Sequence, residues 1–304
     1  MNAEGAASMT ARHAPAASRD PHYWRGVVLV LLAACFWSTS GILVRSIDAA
    51  SPWQILGLRA SSAALMLFCV LLIRYRHRVL QAFRVSGWTG VVGGLCQATA
   101  SSAFIFAITS TTVANAMFLG AAAPFFAALL AWVLIGERVP RATWTALALA
   151  LVGVGVMVAD GVRSGTLFGN AMALLSSLSF AGYVVALRIG KSADMLPAAC
   201  MAGVFGGVLG ASFSDLLAIS GHDFAICVVL GVVQIGMGML CFTLGSRHVP
   251  AAELTLLALV EIILAPLWVW IGVGETPSAL TLLGGAIVLS AIVGRALAGA
   301  RSPD

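Results

Sequence analysis

AAELTLLALVEIILAPLWVWIGVGE, Ala251 to Glu275, is the stretch on which the fold turns. It is long and apolar, yet Glu261 stands near its middle and Pro266 little more than a turn further on. If the stretch crosses a bilayer, Glu261 lies near the midplane. An ionisable group there costs several kcal/mol unless it is paired, protonated or wetted, so by default it marks a functional site. A related stretch, VANAMFLGAAAPFFAALLAWVLIGE, runs from Val113 to Glu137 at an offset of 138 residues. Under that offset Asn115 meets Glu253, Ala123-Pro124 meets Glu261-Ile262, and Gly136-Glu137 meets Gly274-Glu275.

Composition identifies the solvent. Of 304 residues, 60% are hydrophobic and 10% charged, where soluble domains carry about a quarter charged. Mean hydropathy is +1.00. Inside a bilayer no water satisfies the backbone, which leaves helices or a closed barrel. The apolar runs last about 20 residues rather than alternating over about 10, and that selects helices. Ten spans are expected near 26–44, 53–73, 87–108, 113–135, 142–159, 167–187, 197–217, 224–245, 251–272 and 278–298. The chain then divides into a disordered cytoplasmic tail (1–24), a first five-helix unit (25–160), a second (161–298) and a short cytoplasmic tail (299–304). The tail has no secretory-signal pattern, so the first apolar run is a retained span. Loops are short, the longest being the basic link Arg74 to Ser86, and no extramembrane domain is expected.

Charge sets the orientation. With the N-terminus inside, fourteen of the seventeen Lys and Arg residues fall in cytoplasmic segments; Arg45 and Arg163 face the other side and Arg59 lies within a span. Positive residues stay on the cytoplasmic side, so both termini are expected there. The net charge of +5 then needs no nucleic acid to explain it. The six cysteines fall in apolar runs with no CxxC pair, and read as small core residues.

Five spans separate Val113 from Ala251, an odd number, so the two related stretches cross in opposite directions. Leu31–Arg45 (LLAACFWSTSGILVR) likewise matches Leu174–Arg188 (LLSSLSFAGYVVALR). Inverted repeats are the mark of alternating-access transporters, whose substrate sits near the midplane between the repeats. Together with Phe36-Trp37-Ser38, Leu58-Arg59-Ala60, Pro124 ahead of Gly136-Glu137 and Glu261 ahead of Glu275, the chain from Gly26 to Leu297 resembles the EamA-type members of the drug/metabolite transporter superfamily. Family members usually carry Glu-Pro where this chain has Glu261-Ile262, with Pro266 four residues on. The resemblance implies an all-α membrane protein of ten transmembrane helices, two inverted five-helix repeats around a central cavity. It also implies movement of small organic solutes, often export of amino acids or related metabolites, across a bacterial inner membrane.

Each polar residue within a span has a functional and a structural reading. Glu261 either faces the cavity, exchanging a proton or pairing a cationic substrate group, or is tied to another helix. Arg59, two turns inside the second span, either grips a substrate carboxylate bidentately or snorkels to the interface. Gln97 and Gln234, near the middles of the third and eighth spans, contact either substrate or a neighbouring helix. The same pair of readings holds for Asn115. Trp37 lines a pocket or fills the core, beside Ser38, Thr39 and Ser40, which can bond back to the preceding turn. The Tyr183 hydroxyl needs a partner. Trp268 and Trp270 read as interfacial belt residues, and Gly136-Glu137 and Gly274-Glu275 as helix stops.

Function follows by comparison. A secondary transporter, most simply an exporter, fits best; a proton-coupled uptake permease of the same fold would show the same residues. No GxxxxGK[ST] loop is present, so ATP does not drive it. The five histidines are scattered without metal or catalytic spacing, which argues against an enzyme. A purely structural protein would gain little from Glu261, Gln97 and Gln234. The expected partners are a small-molecule substrate and the lipid bilayer, with a homodimer among the assemblies open to it, and no metal, cofactor or nucleic acid.

Overall fold

The computed structural model describes residues 23–136, 141–164, 166–189, 196–245, 248 and 251–301. Helices are α1 (Tyr23–Ser38), α2 (Ser40–Arg45), α3 (Pro52–Tyr75), α4 (Val79–Ser110), α5 (Val113–Gly120), α6 (Ala123–Ile135) and α7 (Arg141–Ser164). They continue as α8 (Leu167–Ile189), α9 (Leu196–Phe213), α10 (Gly221–Val229), a π-helix (Leu230–Met237), α11 (Gly238–Gly245), α12 (Ala251–Val273) and α13 (Ala279–Arg301). Among the described residues, six helical runs are long and apolar enough to cross a membrane, one of them the 59-residue run Pro52–Ser110 that holds α3 and α4. Three shorter apolar helices lie at Trp144–Asp160, Val260–Val273 and Ala279–Ala291. The expected N-terminal tail lies outside the described residues.

Several expected boundaries shift for local reasons. The basic link Arg74 to Ser86 is not a loop: it is a 3-10 turn over Arg76–Arg78 followed by helix from Val79. Gly87, at φ +54, supplies the bend where this segment turns into the rest of α4. The first span breaks at Thr39, whose hydroxyl donates to the Phe36 carbonyl at 2.7 Å while Ser38 donates to Cys35 at 2.8 Å. Both are the back-bonds expected of mid-helix hydroxyls, and they bend a helix. The fourth span breaks at Ala121-Ala122, just before Pro124 in the first turn of α6.

Helix contacts follow the internal repeat. α1 packs on α11 and α12, as α8 packs on α4 and on α5 and α6; α3 meets the π-helix as α9 meets α4. The pairs α3–α9, α5–α12 and α7–α13 join equivalent helices of the two halves. Small residues permit this closeness where both helices are apolar on every side. A Cβ on Gly210 would come 2.4 Å from the Cα of Gly57, and one on Gly153 would come 2.6 Å from the carbonyl oxygen of Gly284. Gly136 at φ +72 and Gly274 at φ +75 end α6 and α12 alike in the left-handed conformation, as the repeat requires.

Polar clips hold the loops at one end. Ser51 and Gln54 form a reciprocal capping box for α3, and the Gln54 amide donates to the carbonyls of Asp215 (2.9 Å) and Ala218 (2.8 Å). The buried Asp223 carboxylate accepts three backbone N–H bonds, from Asp48, Ala49 and Ala50, each at 3.0 Å. The loop after α2 is thereby tied to the start of α10.

The α3–α9 crossing gives a direct test. Gly210→Leu is expected to destabilise the purified protein by about 1–3 kcal/mol, the usual range for overpacking. Gly155→Ala, whose added Cβ meets nothing within 4 Å, should leave the apparent Tm unchanged or slightly raised. Equal losses in both variants would remove the tight crossing as the cause.

Candidate functional site: a hollow lined by unpaired polar groups

The site is built on α3, α4 and the π-helix. Arg59 of α3 is 3% exposed. Its Nη1 donates to Ser101 Oγ at 3.3 Å, its guanidinium sits 5.9 Å from the Phe104 ring centre, and its Nε has no partner. Arg59, Gln97 and Ser101 line one hollow with Ala199 and Gly203 of α9 and Ile235 of the π-helix. The hollow offers about 30 Å³ of space to a water-sized sphere. Arg59 is therefore not snorkelling; it is held inside by α4 and α9.

Gln234 sits in the π-helix, a wider turn often found at functional sites. Its amide donates to the Trp37 carbonyl at 3.4 Å and its Oε1 is buried without a partner. The π-helix lies close against α3 and α1. A Cβ on Gly231 would come 2.4 Å from the Arg59 carbonyl oxygen, and one on Gly238 would come 2.2 Å from Trp37 Nε1. Half-buried Trp37 thus packs on Gly238 and, 5.3 Å centre to centre, on Phe242.

Tyr183 of α8 is buried, its ring against Gly93 of α4 and its hydroxyl unpartnered. Glu261 of α12 is half-buried and lies within electrostatic range of the Arg59 guanidinium. The two residues are thus coupled electrostatically, although Glu261 is not among the side chains lining the Arg59 hollow. Asn115 stands apart. Its amide donates to Thr111 Oγ1 at 3.1 Å and, in a short contact, to Asn170 Oδ1, joining α5 to α8; its own Oδ1 is unpaired.

The side-chain accounting is pointed. Among the described residues, the buried side-chain polar atoms without a partner belong to Ser40, Arg59, Gln97, Asn115, Tyr183 and Gln234. Five of these six carry the residues singled out from sequence. Leaving one such group unpaired away from water costs about 1–3 kcal/mol, more for a charge.

Three polar features were not foreseen. Ser101 is the partner of Arg59. Trp268 is more than a belt residue, since its indole N–H donates to Ser38 Oγ at 3.0 Å and joins α12 to α1. Glu275, expected as a helix stop, is also an ion-pair partner. Its Oε2 meets Arg45 Nε at 2.6 Å, and its Oε1 accepts the Val113 N–H at 2.7 Å. Arg45 Nη2 donates in turn to the Thr111 carbonyl at 2.8 Å. The 138-residue offset aligned Glu275 with Glu137, and the Leu31–Arg45 match to Leu174–Arg188 aligned Arg45 with Arg188, which was the available signal; Glu137 and the side chain of Arg188 lie outside the described residues.

A polytopic helical bundle with paired halves and an unfilled polar interior is the architecture of a membrane carrier. The chain matches the EamA-like transporter family model twice, over residues 24–159 and 167–295, and belongs to that family. It is thus a membrane transporter and not an enzyme. Among its relatives is the pseudopaline exporter CntI of Pseudomonas aeruginosa, 25% identical over 88% of this chain and 94% of that protein. Another is an uncharacterized transporter of Archaeoglobus fulgidus, 28% identical over 88% of this chain and 95% of that protein. A solved crystal structure, 18% identical, superposes at a TM-score of 0.66 over 92% of this chain and 100% of its own, which supports the fold alone.

Removing an unpaired polar group relieves its desolvation cost. Tyr183→Phe and Gln97→Leu are therefore expected to raise the apparent Tm, by the equivalent of about 1–2 kcal/mol. Asn115→Leu, which breaks the pair with Asn170, should lower it. Thermal unfolding of the purified variants reads both signs; destabilisation by Tyr183→Phe would mean that the hydroxyl has a partner.

Proposed function

We propose that the protein is a secondary transporter exporting small organic metabolites, amino acids or related compounds, by alternating access. The observation that carries this reading is the set of buried, unpaired polar atoms on Arg59, Gln97, Tyr183 and Gln234, around the interior of paired halves. A structural bundle would pair such groups with one another; a carrier holds them ready for a guest. In this reading ten helices form two inverted five-helix repeats, 25–160 and 161–298, with both termini cytoplasmic in a bacterial inner membrane. Arg59, with Ser101 beside it, takes the carboxylate of the solute through its free Nε face. Gln97, Gln234 and Tyr183 offer hydrogen bonds to the solute's polar body, and Trp37 an apolar wall. Asn115 contributes through its free Oδ1 at the rim.

Glu261 is the proposed proton-coupling group. It is the carboxylate in electrostatic range of Arg59, so the charge of an arriving solute and the proton on Glu261 are coupled through one cation. A solute carboxylate that neutralises Arg59 makes an ionised Glu261 less favourable, and proton uptake accompanies binding.

The test is counterflow in proteoliposomes loaded with a panel of amino acids and carboxylated metabolites. Arg59→Gln should reduce flux of carboxylated solutes by on the order of a hundredfold, as expected for a lost charge-assisted pair of about 1.5–3 kcal/mol, and leave neutral amines less affected. Glu261→Gln should retain exchange between two solute pools while losing acceleration by an imposed pH gradient. No flux above empty vesicles for any solute would end the proposal. Higher intracellular solute in cells lacking the gene supports export; lower solute supports uptake.

A further inference from the structure

The geometry points to Arg45 and Glu275 as a latch that seals one end of the transport cavity, closed in this structure and opening as a unit during the cycle. The inference deepens the transporter reading and rests on it, for the residues concerned take no part in the Arg59 hollow. Arg45 ends α2, Thr111 and Val113 form the junction of α4 and α5, and Glu275 follows the left-handed Gly274 that ends α12. Four groups converge there. Glu275 Oε2 receives the Arg45 Nε proton, Glu275 Oε1 receives the Val113 N–H, and Arg45 Nη2 donates to the Thr111 carbonyl. One carboxylate and one guanidinium thus tie three separate elements, spaced 162 and 230 residues apart along the chain.

The electrostatics favour closure twice over. The carboxylate caps the N-terminal end of α5, where helix N–H groups are unsatisfied, and the guanidinium takes the Thr111 carbonyl just past the end of α4. Yet both side chains keep about a fifth of their surface exposed, 23% for Arg45 and 19% for Glu275. Water reaches the pair, so separating it does not strand a charge in hydrocarbon. A pair of this kind can open; a fully desolvated one opens at far greater cost.

An apolar seal lies beside the latch. Val113, Met117, Ala265 and Val269 form one cluster, with Ile42 and Phe104 packed on it. Gly41 lets α2 approach: a Cβ there would come 2.6 Å from Val113 and 3.0 Å from Val269. Gly272 does the same for Ile42, at 2.5 Å. Phe104 also stands 5.9 Å from the guanidinium of Arg59, so a single ring packs on the seal and lies near the cation that lines the hollow.

Hydrogen–deuterium exchange on the full-length protein in nanodiscs tests this without knowledge of the substrate. In Glu275→Gln, amides of 42–47, 114–118 and 268–273 are expected to exchange together, on the order of tenfold faster than wild type, between the effects of an exposed and a fully buried pair. Amides of α7 and α13 should not change. Val113→Pro keeps both charges and the helix start, since proline suits a first helical position and Thr112 already has the extended backbone it needs. It removes the N–H that Glu275 accepts and also replaces one side chain of the apolar cluster, and should accelerate the same three segments by a smaller factor. If Glu275→Gln does not purify as a monodisperse protein, Arg45→Gln, which breaks the same ion pair from the other side and lies outside the apolar cluster, decides. A change confined to the first turn of α5, or no change in folded variants, overturns the latch. Absence of solute flux in the wild type would instead sink the transporter reading and leave the exchange result standing.

Discussion

Hydrocarbon offers no water, so every polar group inside this bundle must find a partner in the protein or go without. That constraint orders the whole molecule. Near the loops at one end the polar groups are paired: Asp223 with three backbone N–H groups, Arg45 with Glu275 and Thr111, Ser51 with Gln54. Deeper in, Arg59, Gln97, Tyr183 and Gln234 keep atoms that no described residue satisfies. The same chain that closes its ends with well-made bonds leaves its interior incomplete. Stability alone would not select this distribution, because each unpaired group subtracts from it.

The helices themselves are apolar on nearly every side, and this explains both what the sequence discloses and what it conceals. Continuous apolar runs announce helices and their approximate ends, and the repeat of Gly-Glu at 136–137 and 274–275 aligns the halves. Gly136 and Gly274 share one left-handed backbone, as that alignment implies. The polar residues within spans are equally visible, since each stands out against Leu, Ala and Val. Which face of a helix looks inward is a different matter. With little amphipathic periodicity, Arg59 could be read as snorkelling or as buried, and only the placement of Ser101, Phe104 and α9 resolves it.

Other features were illegible for reasons of distance or register. Glu275 follows a helix-ending glycine, so local rules describe it fully as part of a turn. Its partner Arg45 lies 230 residues away and leaves no local trace. The π-turn around Gln234 depends on α1 and α3 crowding Gly231 and Gly238, which is tertiary information. The link Arg74 to Ser86 looked like loop because basic residues cluster there; Val79 to Ser86 is nonetheless helical, and Gly87 absorbs the change of direction.

Symmetry gives these pieces a common logic. The α3–α9, α5–α12 and α7–α13 contacts join equivalent helices, so motion of one half against the other must pass through them. At α3–α9 and α7–α13 the crossing is made by glycine backbones, which interlock few side chains and therefore resist a change of angle less than a knobs-into-holes seam would. The α5–α12 contact differs: it holds Val113, Met117, Ala265 and Val269, with an ion pair at its end. A bundle with two smooth crossings and one fastened crossing concentrates its resistance to movement at the fastening. On the proposed reading, the energetic threshold between its states lies where Arg45 and Glu275 meet, and selectivity lies with Arg59 and its unpaired neighbours. Separating the two tasks, as that reading does, would let the interior accept different solutes without altering the closure.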